Sequence, residues 1–402
     1  MIGVGTVDIG PKEKQYVNDV LESGLLTSGP ILDTFESTFA VRHGCKYGLM
    51  VNSGTDALRI ALGALKEEGD WLFNEEVIVP ALTFIATSNV VLQNNLTPVF
   101  VDVNPTTFNI DVDKLEKAIT PCTRAIIVVH LFGLPCDMAP IMALAKRYHL
   151  KVIEDSCEAM GVNYASQPVG SFGDVACFST YAAHVITTGV GGIAITNSAT
   201  LSDLMRSLAN HGRDPKFLGF KDSKQLNPSS YENPEDHQKL IETRFSFQRI
   251  GYSSRATQLQ AAIGLGQLER LNEILHFRQR HYEFLEAQLM NLPGIQLQEI
   301  PEDCEHAAMM FPIVLSAPFA NRTQVMLALE QRGVETRPFF NILGQKPYIE
   351  IFGDQETKFP VATQLSYTGF YVGCHQQMSA TQLWKIVEAV KECTNTKVAA
   401  TV

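Results

Sequence analysis

Residues 175–197 read VACFSTYAAHVITTGVGGIAITN. The run VACFST is apolar without polar alternation, which suits a strand buried on both faces. Such strands belong to largely parallel sheets covered by crossover helices. Ser179 and Thr180 end that run, and a second apolar run, 191-GGIAITN-197, follows a turn of small residues. His184 stands at the centre of the turn, and no lysine lies between Lys151 and Lys216.

Five further runs upstream have the same character: 47-YGLMVNS-53, 76-EVIVP-80, 98-PVFVDV-103, 124-RAIIVVHLFG-133 and 151-KVIEDS-156. Between them, 30-PILDTFESTFAVRHG-44, 113-DKLEKAI-119 and 139-APIMALAKRYH-149 carry apolar residues at helical spacing, with Gly44 as a stop for the first. Strand and helix alternating in this way predict an α/β fold with a mostly parallel seven-stranded sheet and flanking helices. The stretch 256–289 predicts a long helix or a helix pair leading into a smaller C-terminal α+β unit. There 308-AMMFPIVLS-316 and 334-VETRPFF-340 read as strands, and 322-RTQVMLALEQRG-333 and 381-TQLWKIVEAVKE-392 as helices. The expected division is residues 1–265, a large unit with an irregular insertion at about 211–250, and residues 266–402, a small one. Irregular stretches of that length commonly carry function or are disordered.

With 402 residues and 45% apolar side chains, the chain can bury a large core. Its net charge of -11 is spread along the sequence, which argues against nucleic acid or an anionic membrane as a partner held by general electrostatics. The eight cysteines are dispersed and form no CxxC pair, so neither a zinc ribbon nor a disulfide framework is indicated, no metal site is expected, and reduced thiols in a cytoplasm are the simplest expectation. The N-terminus MIGVGTVDIGPKEKQ has no basic start followed by an apolar core, and the most apolar run, 77–92, is short and contains Pro80. No membrane segment is expected.

Three constellations carry chemistry. In 52-NSGTDALRIALGAL-65, a strand end turns through Ser53, Gly54 and Thr55 into a helix, whose free amides form an anion site or a plain N-cap. In 151-KVIEDSCEAMG-161, a strand delivers Glu154, Asp155 and Glu158 at its carboxyl end, where open α/β sheets keep their ligands. A carboxylate there can keep a pyridine nitrogen protonated, as an electron-sink cofactor needs, or can simply cap a helix. The third is the opening stretch. A lone histidine is commonly structural, but the small residues Thr187, Thr188, Gly189, Gly191 and Gly192 permit close approach of backbone to a ligand.

Together these stretches resemble the DegT/DnrJ/EryC1/StrS family of sugar aminotransferases and dehydratases, pyridoxal-phosphate proteins of fold type I. LTSGPILDTFESTFA, NSGTDALRIAL, VIVPALTFIAT, PVFVDV, VIEDSCEAMG, FSTYAAHVITTGVGG, GYSSRATQLQAAIGLGQLERL and ETRPFF follow the family's order and spacing. The resemblance implies that Gly54, Thr55 and Ser179 hold the cofactor phosphate, Phe84 stacks on the pyridine ring, Asp155 pairs with its nitrogen and Glu158 sits near its phenolic oxygen. Ser253 stands where an asparagine reaches a neighbouring subunit's phosphate, and Val190 stands where the family has glutamate. A homodimer is implied in the same way.

His184 occupies the place of the Schiff-base lysine, which is the mark of the family's 3-dehydratase branch. Imidazole forms no stable Schiff base, so the cofactor would act as pyridoxamine phosphate, with His184 as acid and base. The implied reaction is 3-dehydration, a 3-deoxygenation, of a nucleotide-linked 4-keto-6-deoxyhexose, with the amine recovered from glutamate. One version of this branch carries an iron–sulfur cluster ligated by a cysteine in the EDxC segment and three more after the GRD motif. Cys157 is present, but 213-RDPKFLGFKDSKQ-225 has no cysteine, so no cluster is expected and the GDP-4-keto-6-deoxymannose 3-dehydratase branch is the better match. The alternatives are a nucleotide-sugar aminotransferase or its lysine-to-histidine variant, and a non-catalytic homologue that binds sugar nucleotides. Arg213 and Arg337 are candidates for contacts to a sugar nucleotide or a donor carboxylate, and equally for surface ion pairs.

Overall fold

The computed structural model describes residues 1–214, 245–316 and 321–394. Its centre is a seven-stranded sheet built from β1 (Tyr47–Val51), β2 (Glu76–Pro80), β3 (Thr97–Val101), β4 (Thr123–Val129), β5 (Lys151–Asp155), β6 (Val175–Ser179) and β7 (Gly192–Thr196). The spatial order is β1-β7-β6-β5-β4-β2-β3. β7 runs antiparallel to both neighbours, and the other four pairings are parallel. All seven expected strands are present.

Continuous apolar strands are explained by what covers them. On β2, Val77 and Val79 join a core with Leu58, Leu62 and Leu65 of α3 (Gly54–Glu68), whereas Ile78 joins a second core with Met138 and Ile141 of α6 (Met138–Tyr148). Successive residues alternate between the two faces of a strand, so a sheet buried on both sides requires apolar residues at every position. α2 (Pro30–Arg42) has proline at its first turn, and Gly44 follows it at φ +74°, a conformation glycine adopts freely.

The expected helix pair consists of α8 (Gln258–Glu269) and α9 (Leu271–Leu289), and the 265/266 division falls inside α8. α9 leads to a four-stranded antiparallel sheet of β8 (Ile295–Leu297), β9 (Met310–Leu315), β10 (Thr336–Pro338) and β11 (Gly369–Gly373), in the order β8-β9-β11-β10. The chain's beginning joins this sheet: Ile2 pairs with Val334, donating from its amide to the Gly333 carbonyl at 2.7 Å. Among the described residues no helix is long and apolar enough to cross a membrane. Most of the irregular stretch expected at about 211–250 lies outside the described residues.

Candidate active site

The carboxyl ends of β1, β2, β5 and β6 open on one edge of the large sheet, and β7, being antiparallel, begins there. A cavity of about 400 Å³ lies at this edge, closed from the other side by Met309 and Met310 ahead of and within β9, Phe340 after β10 and Tyr371 on β11. Gly54, Thr55, Phe84, Asp155, Glu158, Ser179 and His184 all line it. No lysine lines it among the described residues.

At one end, Ser53 caps α3 by accepting from the Asp56 amide at 3.1 Å, leaving the amides of Gly54 and Thr55 in the helix's first turn without intrahelical partners. Close approach makes this end tight. A Cβ on Gly54 would lie 2.9 Å from both the Cys157 sulfur and the Ser179 Cβ, and one on Gly192 would lie 2.4 Å from the Ser53 carbonyl. Helix N-terminal amides beside the Ser179 hydroxyl form a cradle for an anion of phosphate size.

At the other end, Asp155 is 6% exposed and accepts from the Thr87 hydroxyl at 2.8 Å and from the Cys157 amide at 3.3 Å. Burial raises its pKa above the usual carboxylate value. Glu158 accepts from the Phe132 amide at 2.6 Å, and burial pushes its carboxyl up to about 8. A buried carboxylate beside a cavity is stabilised when a cationic or protonated ring nitrogen occupies it. Glu154 turns to the other side of β5, where it takes the amides of Gly170, Phe172 and Gly173 at 2.7–2.8 Å and belongs to the architecture.

His184 also lines the cavity. Its loop is a tight return in which Thr188 donates from its amide to Thr180 (2.8 Å) and Ala182 to Gly189 (3.1 Å), with Gly189 at φ +85°. The imidazole Nδ1 is buried without a hydrogen-bond partner, and burial followed by the charge of Arg278 lowers its pKa to about 4. The ring is therefore a neutral base at pH 7. Phe84 is 56% exposed and meets Phe340 edge-on at 5.7 Å, leaving a ring face available for stacking.

Ser253, Arg213 and Arg337 do not line the cavity. Ser253 is exposed and pairs with Asn210, Arg213 lies over the Phe245 ring at 5.4 Å, and Arg337 is exposed and paired with Glu335. The residues that sequence reasoning did not single out are Thr87, Met309, Met310, Phe340 and Tyr371. The segments carrying both methionines and Phe340 read as strands of a separate unit, and nothing local in them points back to the large sheet. Among the described residues no group of three or more His, Cys, Asp or Glu is placed to hold a metal ion.

The chain matches the DegT/DnrJ/EryC1/StrS aminotransferase family over residues 7–391. It belongs to that family. It is 34% identical to GDP-perosamine synthase of Caulobacter vibrioides, covering 97% of this chain and 98% of that one. Among solved structures, GDP-4-keto-6-deoxy-D-mannose 3-dehydratase of E. coli with bound hydrated PLP has a TM-score of 0.86 and 25% identity, covering 97% of this chain and 99% of that one. Another structure of GDP-4-keto-6-deoxymannose 3-dehydratase, with a trapped PLP–glutamate geminal diamine, also has a TM-score of 0.86 and 25% identity and covers 97% and 100% of the two chains. The family's cofactor, pyridoxal or pyridoxamine 5'-phosphate, fits the residues present: a phosphate cradle that a Cβ at Gly54 would fill, and a buried acid at Asp155 for the ring nitrogen.

Proposed function

We propose that the protein is a pyridoxamine-phosphate-dependent 3-dehydratase of a nucleotide-linked 4-keto-6-deoxyhexose. The observation that carries this reading is His184 in the cavity with no lysine among the described residues lining it. Without a primary amine among the described residues lining the cavity, the cofactor has nothing there to be tethered to. Bound as pyridoxamine phosphate, the cofactor supplies an amine for the sugar's 4-ketone and an electron sink for departure of the 3-hydroxyl.

The protein's part is holding, orienting and proton transfer. Gly54, Thr55 and Ser179 hold the phosphate, Asp155 keeps the ring nitrogen protonated, and Phe84 stacks on the ring. His184, neutral at pH 7 because it is buried, takes the proton at the cofactor's C4' carbon, and positioned acid–base catalysis of this kind contributes roughly 10² to 10⁴ in rate. The apolar wall of Met309, Met310 and Phe340 keeps water from the reacting atoms. Glutamate restores the amine, a role supported by the glutamate adduct in the similar 3-dehydratase structure. The active form is a homodimer, with Ser253 on an exposed edge available to the second copy.

The identity to GDP-perosamine synthase favours a second reading, amino transfer to the same class of 4-keto sugar. Mass spectrometry separates the two. Purified protein with pyridoxamine phosphate and glutamate is given GDP-, CDP- and dTDP-linked 4-keto-6-deoxyhexoses, and a product that keeps the 4-ketone and is lighter by one oxygen atom, formed with release of ammonia, supports 3-dehydration. A product carrying a new amine, with the 3-hydroxyl retained in all three sugars, sinks the dehydratase reading.

A further inference from the structure

Arg278 of α9 is 1% exposed and pairs with no carboxylate among the described residues: Nη1 and Nη2 donate to main-chain carbonyls, and Nε is buried without a partner. It donates to Ala308 (3.1 Å) and Met309 (3.1 Å) at the entry to β9, to Cys374 (2.8 Å) just past β11, and to His184 (3.4 Å). Burying a cation without a counter-ion is costly, and it persists only where the surroundings satisfy it. Burial lowers its pKa only to about 10, so the cation is present at neutral pH.

Three of the four carbonyls sit together at the paired ends of β9 and β11, and the fourth comes from a loop of the large sheet that no strand pairing ties to them. One is the catalytic histidine's own peptide, at the tip of a loop returning from the large sheet. Met309 is a cavity wall residue, and Ala308 and Cys374 belong to the small sheet's strand ends. The imidazole Nδ1 has no hydrogen-bonded partner, and among the described residues no carboxylate is bonded to the ring; the one group bonded to it is the neighbouring Tyr181 backbone, within the same loop. A planar, rigid fork of donors behind the loop does what a partner on the ring would otherwise do.

We propose that Arg278 is the positioning residue for His184, fixing the histidine's peptide from behind the cavity and locking its loop to the wall formed by the small sheet. The proposal rests on the acid–base role given to His184 above. The charge contributes in the same direction as the geometry: Arg278 disfavours a proton on the imidazole and keeps the ring in its base form. The other titratable groups around the ring are Tyr181, whose ring meets it edge-on at 6.2 Å, and Asp155, Cys157, Glu158 and Tyr371 elsewhere on the cavity lining.

The test uses the full chain with Arg278→Met and Arg278→Lys, each checked for folding by circular dichroism. In Arg278→Met, kcat is expected to fall about 10- to 100-fold with KM for the sugar nucleotide within about threefold. The His184 resonance in ¹⁵N-histidine NMR, assigned by its loss in His184→Asn, is expected to titrate closer to the ordinary value of about 6.5. Arg278→Lys keeps the charge but not the fork, so the titration stays low while kcat still falls; it also decides the matter if the methionine variant does not fold. Unchanged kcat in Arg278→Lys, or an unmoved His184 titration in a folded Arg278→Met, overturns the proposal. If the wild type dehydrates no sugar, the functional reading fails, and the NMR titration still decides the role of Arg278.

Discussion

Glu154 and Asp155 are adjacent at the end of β5 and serve opposite faces of the sheet. Asp155 borders the cavity with the Thr87 hydroxyl at 2.8 Å, and Glu154 is enclosed on the far side by the amides of Gly170, Phe172 and Gly173. Side chains on a strand alternate, so one short acidic pair supplies both a ligand-facing acid and a structural one.

The pair predicts a separation of phenotypes. Asp155→Asn removes the partner of the ring nitrogen and is expected to lower kcat at least about 100-fold, with the folded state intact by circular dichroism. Glu154→Gln leaves three amides, that of Gly170 buried and those of Phe172 and Gly173 half-buried, short of a charged acceptor. It is expected to lose about 3 kcal/mol in urea denaturation, while the folded fraction keeps its turnover.

His184→Ala is expected to reduce dehydration by about 10² to 10⁴. His184→Lys restores a primary amine at the same place. After borohydride treatment and denaturation, intact-mass analysis is expected to find the cofactor attached to the lysine variant and absent from the wild type. Covalent cofactor on the wild type would count against an untethered site.

The pH profile follows from the burial of His184. Its base form is the neutral one, and its pKa lies near 4, below the ordinary value of about 6.5. Base therefore persists as pH falls from 7 to 5 and is lost only near 4. The profile of kcat/KM is expected to stay flat to about pH 5 in enzyme shown to survive preincubation; an acid limb centred near 6.5 would contradict the assignment.

Gly54→Ala places a Cβ 2.9 Å from both Ser179 and Cys157. Either the helix start or the end of β6 must move, and the phosphate cradle opens. Affinity for pyridoxamine phosphate is expected to weaken by at least about tenfold, roughly 1.4 kcal/mol, measured by equilibrium dialysis. Unchanged affinity would remove Gly54 from the phosphate site.

Much of this was legible in the chain. The seven apolar runs became the seven strands, because a sheet covered on both faces needs unbroken apolar sequence. The NSGTDAL turn, Asp155 and Ser179 stood out because each sits at a strand end or helix start whose local sequence marks it, and His184 because it lies in a loop of small residues between two apolar strands. The wall of Met309, Met310, Phe340 and Tyr371 was not legible as a site, since these residues look like ordinary strand and loop apolar residues of a second sheet.

By itself, then, the sequence determined the alternation of strands and helices, the Ser-Gly-Thr turn into a helix, and the presence of a histidine and no lysine in the loop after VACFST, all of which depend on residues close together along the chain. Only the tertiary structure decided which acid of the Glu154–Asp155 pair faces the cavity, that no described lysine reaches it, and that Arg278, 94 residues from His184, holds that histidine's carbonyl. Strand periodicity says that neighbours point apart, but which face becomes the site depends on the order of strands and on the sheet that closes over them. Contacts between distant segments leave no local signal, because each is set by how whole elements pack.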